Sequence, residues 1–176
     1  MKCAIMPSAI QTRLVISLLI AAFAGWALPA CAPGQAEMAP PDIVYGETPC
    51  VECSMIISDA RFAAGYAHEV AAGRYESKAF DDIGDMLVHA GKHAEDKITA
   101  WYVHDYVGEA WLDAEQAIFV VSPQLPTPMG YGILAFAERS AAERVAAEAE
   151  GELLTWEELR QEAKAGIGHG HAHGGS

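Results

Sequence analysis

Arg61-Phe-Ala-Ala-Gly-Tyr-Ala-His-Glu-Val70, then Ala71-Ala-Gly73, then Arg74-Tyr-Glu-Ser-Lys-Ala-Phe80, then Asp81-Asp-Ile-Gly-Asp-Met-Leu-Val-His-Ala90: these four stretches decide the fold. The first and third alternate as strands about a Gly-containing turn, which predicts a hairpin. The fourth places Ile83, Met86, Leu87 and Ala90 at helical spacing, with Gly91 as its expected stop. Ile98–Val107 is rich in β-branched and aromatic residues and predicts a third strand. The second half repeats the order. Strands are expected over 117–122 and 132–137, a helix over 138–150, a short extended piece over 152–155 and a last helix over 156–165. Thr155 with Glu158 three residues on is a capping box for that last helix. Ala79-Phe80 and Ala135-Phe136 hold equivalent places before acidic helix starts. The expected class is α+β: two similar small ββαβ domains with antiparallel sheets, over residues 43–113 and 114–165.

Outside these halves the chain reads as addresses and spacers. Lys2 and Arg13 precede the uncharged run Leu14–Leu28, the pattern of a secretory signal and short of the ~20 apolar residues that a spanning helix needs. Leu28-Pro29-Ala30-Cys31 resembles a bacterial lipobox. Residues 1–30 are therefore expected to be a lipoprotein signal peptide, with Cys31 acylated and inserted in a lipid membrane. The protein would face the periplasm, and Ala32 after the cysteine points to the outer membrane. Residues 31–42, with Pro33, Gly34, Pro40 and Pro41, read as a flexible tether. Residues 166–176 read as a disordered His-rich tail in which His169, His171 and His173 alternate, a pattern able to bind Cu(II), Ni(II) or Zn(II) loosely.

Charge narrows the function further. The 176 residues carry 11 Lys and Arg against 24 Asp and Glu, a formal charge of −13. Nucleic-acid binding requires clustered cations to neutralise phosphates, and none is present. No G-x-S-x-G or phosphate-binding Gly-rich loop occurs either.

Of the four cysteines, Cys3 falls in the signal and Cys31 in the lipobox, leaving Cys50-Val-Glu-Cys53. C-x-x-C suits a redox dithiol, half a zinc site or a soft-metal site. A structural zinc site wants four ligands, and the only internal His pair, His89 and His93, reads as solvated at a helix end. A thioredoxin-like dithiol belongs at a helix start, but Ser54-Met-Ile-Ile-Ser58 is not a helical pattern. Met55 shifts the balance. In extended backbone, residues two apart point the same way, so Cys53 and Met55 would present two sulfurs on one side. Thiolate with thioether favours Cu(I). Met129, set between Pro128 and Gly130 in a loop, is badly placed for packing and well placed as a ligand. Met86 reads as core, and Met38 lies idle in the tether.

Cys53-x-Met55 after the C-x-x-C, the Phe80–Met86 helix start, Trp101-Tyr-Val-His-Asp-Tyr106, Ala114–Ser122 and Pro128-Met-Gly-Tyr-Gly132 together resemble the NosL family, over about residues 43–160. These are lipoprotein accessory factors of nitrous-oxide reductase. The resemblance implies a Cu(I)-binding chaperone, without catalytic turnover, that delivers copper to apo nitrous-oxide reductase or its assembly machinery. It also implies two ββαβ domains, with metal ligands at Cys53, Met55 and Met129. Cys50 is left as either a further ligand or a redox partner. Ser54 stands where many relatives have Gly, a change that is harmless unless the turn needs φ > 0 there. The competing expectations are a lipid-anchored thiol–disulfide oxidoreductase using Cys50 and Cys53, and a chaperone serving another metalloenzyme.

Overall fold

The expected hairpin forms one side of the larger sheet, with its first strand inside the sheet and its second at the edge. A computed structural model describes residues 38–166; the expected signal peptide, Cys31 and the histidines of the tail lie outside them. Strands β1 (Ala64–Ala71) and β2 (Arg74–Phe80) pair antiparallel, with Ala64 opposite Phe80 and Tyr66 opposite Lys78. Helix α1 (Ile83–Lys92) leads to β3 (Lys97–His104), which pairs with the other edge of β1, and β4 (Trp111–Asp113) adds to β3. The order is β2-β1-β3-β4.

The second sheet repeats this plan. β5 (Ile118–Val121) is flanked by β6 (Ile133–Phe136) and, after helix α2 (Arg139–Glu148), by β7 (Glu152–Leu154), all antiparallel, in the order β6-β5-β7. In each half the first strand is central, the second lies on one side and the strand after the helix on the other. The chain is thus α+β, with the ββαβ order in both halves. Helix α3 (Trp156–Ala165) closes it, and Thr155 and Glu158 form the expected capping box.

Both sheets feed one apolar cluster. Tyr66, Phe80, Ile83, Met86 and Val103 from the first half meet Phe119, Ile133, Trp156 and Leu159 from the second. Met86 is fully buried, as its place on the apolar face of α1 predicts. No helix among the described residues is long and apolar enough to cross a membrane.

Four local expectations are revised. Asp82 is the N-cap of α1, its side chain accepting from the Gly84 N–H, so the helix starts at Ile83 rather than Asp81. Gly91 lies within α1, which ends at a His93 cap, because a glycine costs a helix only about 1 kcal/mol when the exposed last turn is otherwise sound. β3 stops at His104 rather than Val107, since the Asp105 side chain accepts from the Gly108 N–H and turns the chain toward β4, which the sequence does not announce. The end of the expected tether is packed: the Ser77 hydroxyl donates to the Ala39 carbonyl at 2.7 Å, and Pro41 lies on Gly65, where a Cβ would come within 2.4 Å of its ring.

Gly84 matters for the same steric reason. A Cβ there would lie 2.0 Å from Cγ of Tyr131, so this glycine seats the tyrosine ring on the start of α1. Gly84→Ala is expected to cost about 1–3 kcal/mol through overpacking, read as a lowered urea midpoint at unchanged slope. An unchanged midpoint would mean that the ring is not seated there.

Candidate metal centre

The C-x-x-C segment folds as a small hairpin. Pro49 bridges Ile56, the Cys50 N–H donates to the Met55 carbonyl at 2.8 Å, and the Ser54 N–H donates to the Cys50 carbonyl at 3.0 Å. The Val51 N–H donates to the Ala79 carbonyl at 3.0 Å, fastening the hairpin to the end of β2. This turn corrects the extended geometry expected for Cys53-Ser54-Met55. Ser54 has φ 63°, in the left-handed region. A non-glycine residue there costs roughly 1–2 kcal/mol, so the Gly-to-Ser difference falls where glycine has a physical reason to be. Met55 projects into solvent at 52% exposure, whereas Cys50 is 2% exposed and Cys53 lies between these extremes.

The turn brings both thiols to a third donor. The ligand atoms of Cys50, Cys53 and Asp85 all lie within 4.8 Å of one another. The Cys50 thiol donates to Asp85 Oδ2 at 3.4 Å, and the Cys53 N–H points at Cys50 Sγ at 3.5 Å. Burial pushes the Cys53 thiol up to about 12, and hydrogen bonding with Asp85 and Cys50 adds to the rise. Residue-type reasoning passed over Asp85. Its signal is that Asp82, Asp85 and His89 fall three and four apart along the face of α1 that also carries Met86.

The histidine expectation is likewise corrected. His89 is buried at 5% exposure rather than solvated; its Nδ1 is 2.9 Å from Glu52 Oε2, and its ring stacks on that of His93 at 4.2 Å. Glu52 is the third residue of the C-x-x-C and also pairs with Lys92. Burial raises its carboxyl, but the hydrogen bonds from Lys92 and His89 outweigh this and hold it below the usual range. The cysteine loop is thus clamped along α1 at both ends, by Asp85 near the start and by His89 and Lys92 near the finish.

The methionine loop arrives from the other half. Asp82 Oδ2 accepts from the Met129 N–H at 3.3 Å, while the same carboxylate caps α1. Gly132 closes the loop at φ 65°, where a Cβ would meet the Ser122 carbonyl at 2.0 Å. Burial raises the Tyr131 hydroxyl, with Asp85, Asp82, Glu52 and the Cys53 thiol adding to the rise. The Met129 backbone, Tyr131, Asp85 and the cysteine hairpin therefore share one neighbourhood at the N-terminal end of α1.

Asp81 is the anomaly of that neighbourhood. It is 2% exposed, and its Oδ1 has no hydrogen-bond partner. Burial, then the Asp85 charge, raises its carboxyl above the ordinary value, against a hydrogen bond from the Ser58 backbone. A carboxyl raised in the folded state binds more protons folded than unfolded, so its contribution is favourable in acid and is lost as pH climbs from about 4 through the raised value. Asp81→Asn is therefore expected to match the parent near pH 4 and to gain stability over it by about 1 kcal/mol at pH 7. Urea midpoints across that range check this; a gap that closes with rising pH would refute it.

Comparison with known proteins gives this geometry a context. The NosL family model matches residues 43–164. The chain is 29% identical over 135 residues to the copper-binding lipoprotein NosL of Stutzerimonas stutzeri, covering 70% of each chain. In fold it is similar to the copper chaperone NosL from Shewanella denitrificans, with a TM-score of 0.57 at 21% identity, covering 74% of this chain and 99% of that one. The segment matched by the family model spans both sheets, the cysteine hairpin and the methionine loop, and the chain belongs to the NosL family.

Proposed function

We propose that this protein is a Cu(I) chaperone, held to the periplasmic face of a membrane, in the outer membrane, through acylated Cys31, and that it hands copper to apo nitrous-oxide reductase during assembly of its metal centre. One observation carries the copper reading. A cysteine hairpin from one half and the Pro-Met-Gly loop of the other meet at a single helix start, the loop held there by Asp82 and the hairpin by Asp85. Family membership and the copper-binding names of two relatives support it.

In this reading Cys53 supplies the anionic thiolate, and Met55 and Met129 supply neutral thioethers, a donor set that prefers Cu(I). Cys50 stands behind Cys53, engaged with Asp85. Copper displaces the Cys53 proton, which leaves to solvent. A three-sulfur site keeps an open position, so a recipient can add a ligand before the chaperone lets go. Met55 is the natural first ligand to release because it is already exposed. Val44, Tyr45, Val51 and Ile56 are also exposed in the adjoining turns and offer an apolar rim for the recipient to cover.

Anaerobic Cu(I) titration against a chromophoric chelator tests the site. One tight copper per chain is expected. Cys53→Ser should weaken it by more than about 100-fold and Met129→Leu by about 10-fold, at or beyond the scale on which partners surrounding a metal site act. Binding that is indifferent to Cys53 would overturn the assignment. For the recipient, loaded protein is incubated with apo nitrous-oxide reductase and copper is measured in each after separation. Copper retained by the loaded protein would mean that another metalloenzyme is served.

A further inference from the structure

We infer that the cavity between α1, β3 and α3 binds a small organic carboxylate, its apolar body against α1 and β3 and its head group on Arg160 and Lys164. The cavity lies along the C-terminal half of α1, away from the helix start where the cysteine hairpin and the Pro-Met-Gly loop meet. The inference does not rest on copper binding.

The space suits a small guest. It measures about 450 Å³ and is half open to solvent, within the roughly 300–1,000 Å³ of small-molecule sites. Leu87 and Ala90 from α1, Ile98 and Trp101 from β3 and Ala163 from α3 give it an apolar lining. All five are half-buried, so the body of a ligand would take their remaining apolar surface out of water.

Charge selects the head group. Arg160 lies over two indoles, its Cζ 5.5 Å from the ring centroid of Trp101 and 5.9 Å from that of Trp156. Stacking holds the guanidinium plane and leaves its N–H edge to fork an oxyanion. The carboxylate in ion-pair range, Glu157, is 3.9 Å away, beyond hydrogen-bond distance. Lys164 follows one turn later on the same face of α3 and forms no ion pair among the described residues. Helix-dipole complementarity accounts for Lys164 by itself. It does not account for both cations of α3 lining one cavity, in a chain whose acids outnumber its bases by 24 to 11. The acids on the wall limit the charge of the guest. Asp96 is already engaged, accepting from the Tyr66 hydroxyl at 2.6 Å and from Lys78 Nζ at 2.8 Å. Glu115 forms no ion pair among the described residues and would oppose a second negative charge. A planar, singly charged carboxylate therefore fits better than a phosphate dianion.

Octanoate is the probe, and octanol is its neutral counterpart. Each is titrated into the full chain and into Arg160→Gln, followed by calorimetry and by amide NMR shifts. One saturable octanoate per chain is expected, with shifts centred on residues 87–94, 98–101 and 160–164. Octanol should bind at least about 10-fold more weakly, and Arg160→Gln should weaken octanoate by at least about 10-fold, the scale of one charge-assisted hydrogen bond. The same variant should leave octanol binding and the circular dichroism unchanged, which a merely structural arginine would not. Lys164→Gln should weaken octanoate alone, and Ala163→Leu, which narrows the cavity, should weaken both ligands. No saturable binding, equal binding of the two ligands, indifference to Arg160 or shifts elsewhere would overturn the inference. So would saturation seen only in a chain ending at Gly166, which would assign the cavity to residues 167–176 of the chain itself. If Arg160→Gln fails to fold, Lys164→Gln and Ala163→Leu decide, and parent-like octanoate binding in both would overturn it.

Discussion

The carboxylate of Asp82 does two jobs at once. It caps the first turn of α1 through the Gly84 N–H, and it accepts from the Met129 N–H in a loop forty-seven residues away. Residues of α1 meet the cysteine hairpin at Cys50 through Asp85 and at Glu52 through His89 and Lys92. Cys50 and the backbone of Met129 are therefore both referenced to the start of one helix. Burial pushes the Asp82 carboxyl up, and the hydrogen bonds from Thr127, Gly84 and Met129 oppose that rise. The protein tolerates a fully buried carboxylate here because three donors from two parts of the chain converge on it.

Two glycines make the convergence sterically possible. Without a Cβ at Gly84 the Tyr131 ring lies directly on α1, and without one at Gly132 the loop turns against the Ser122 carbonyl. Nearby, Asp81 has an unpartnered oxygen and Ser54 a left-handed conformation. Both are local costs, and Ser54 lies next to Cys53 in the hairpin turn. Strain and unsatisfied polarity tend to collect where chemistry needs a particular geometry, and the rest of the fold compensates for them.

The repeated topology bears on function as well as on architecture. The segment after β2 and the loop before β6 lie near each other, and α1 and Tyr131 meet there. The paired halves thus bring the cysteine hairpin and the Pro-Met-Gly loop to the same helix start.

Much of this was written in the residue pattern. Alternation, helical spacing and the Thr155–Glu158 box located β1, β2, α1, β3 and α3 within a few residues, because those signals are local and reflect which face is buried. The C-x-x-C with Met55, and Met129 between Pro and Gly, stood out because their residue types fit poorly with any structural role. Three features became visible only in three dimensions. Asp85 and His89 read as ordinary helix residues until the hairpin folded onto them; the positive φ of Ser54 follows from the turn that the hydrogen bonds to Cys50 and Met55 impose; and the shared use of Asp82 depends on a loop from the other sheet arriving at its side. Local sequence determines which elements form and which side chains have unusual chemistry, since those depend on neighbours along the chain. Which of those side chains meet is a property of packing between distant segments, and only the tertiary structure decides it.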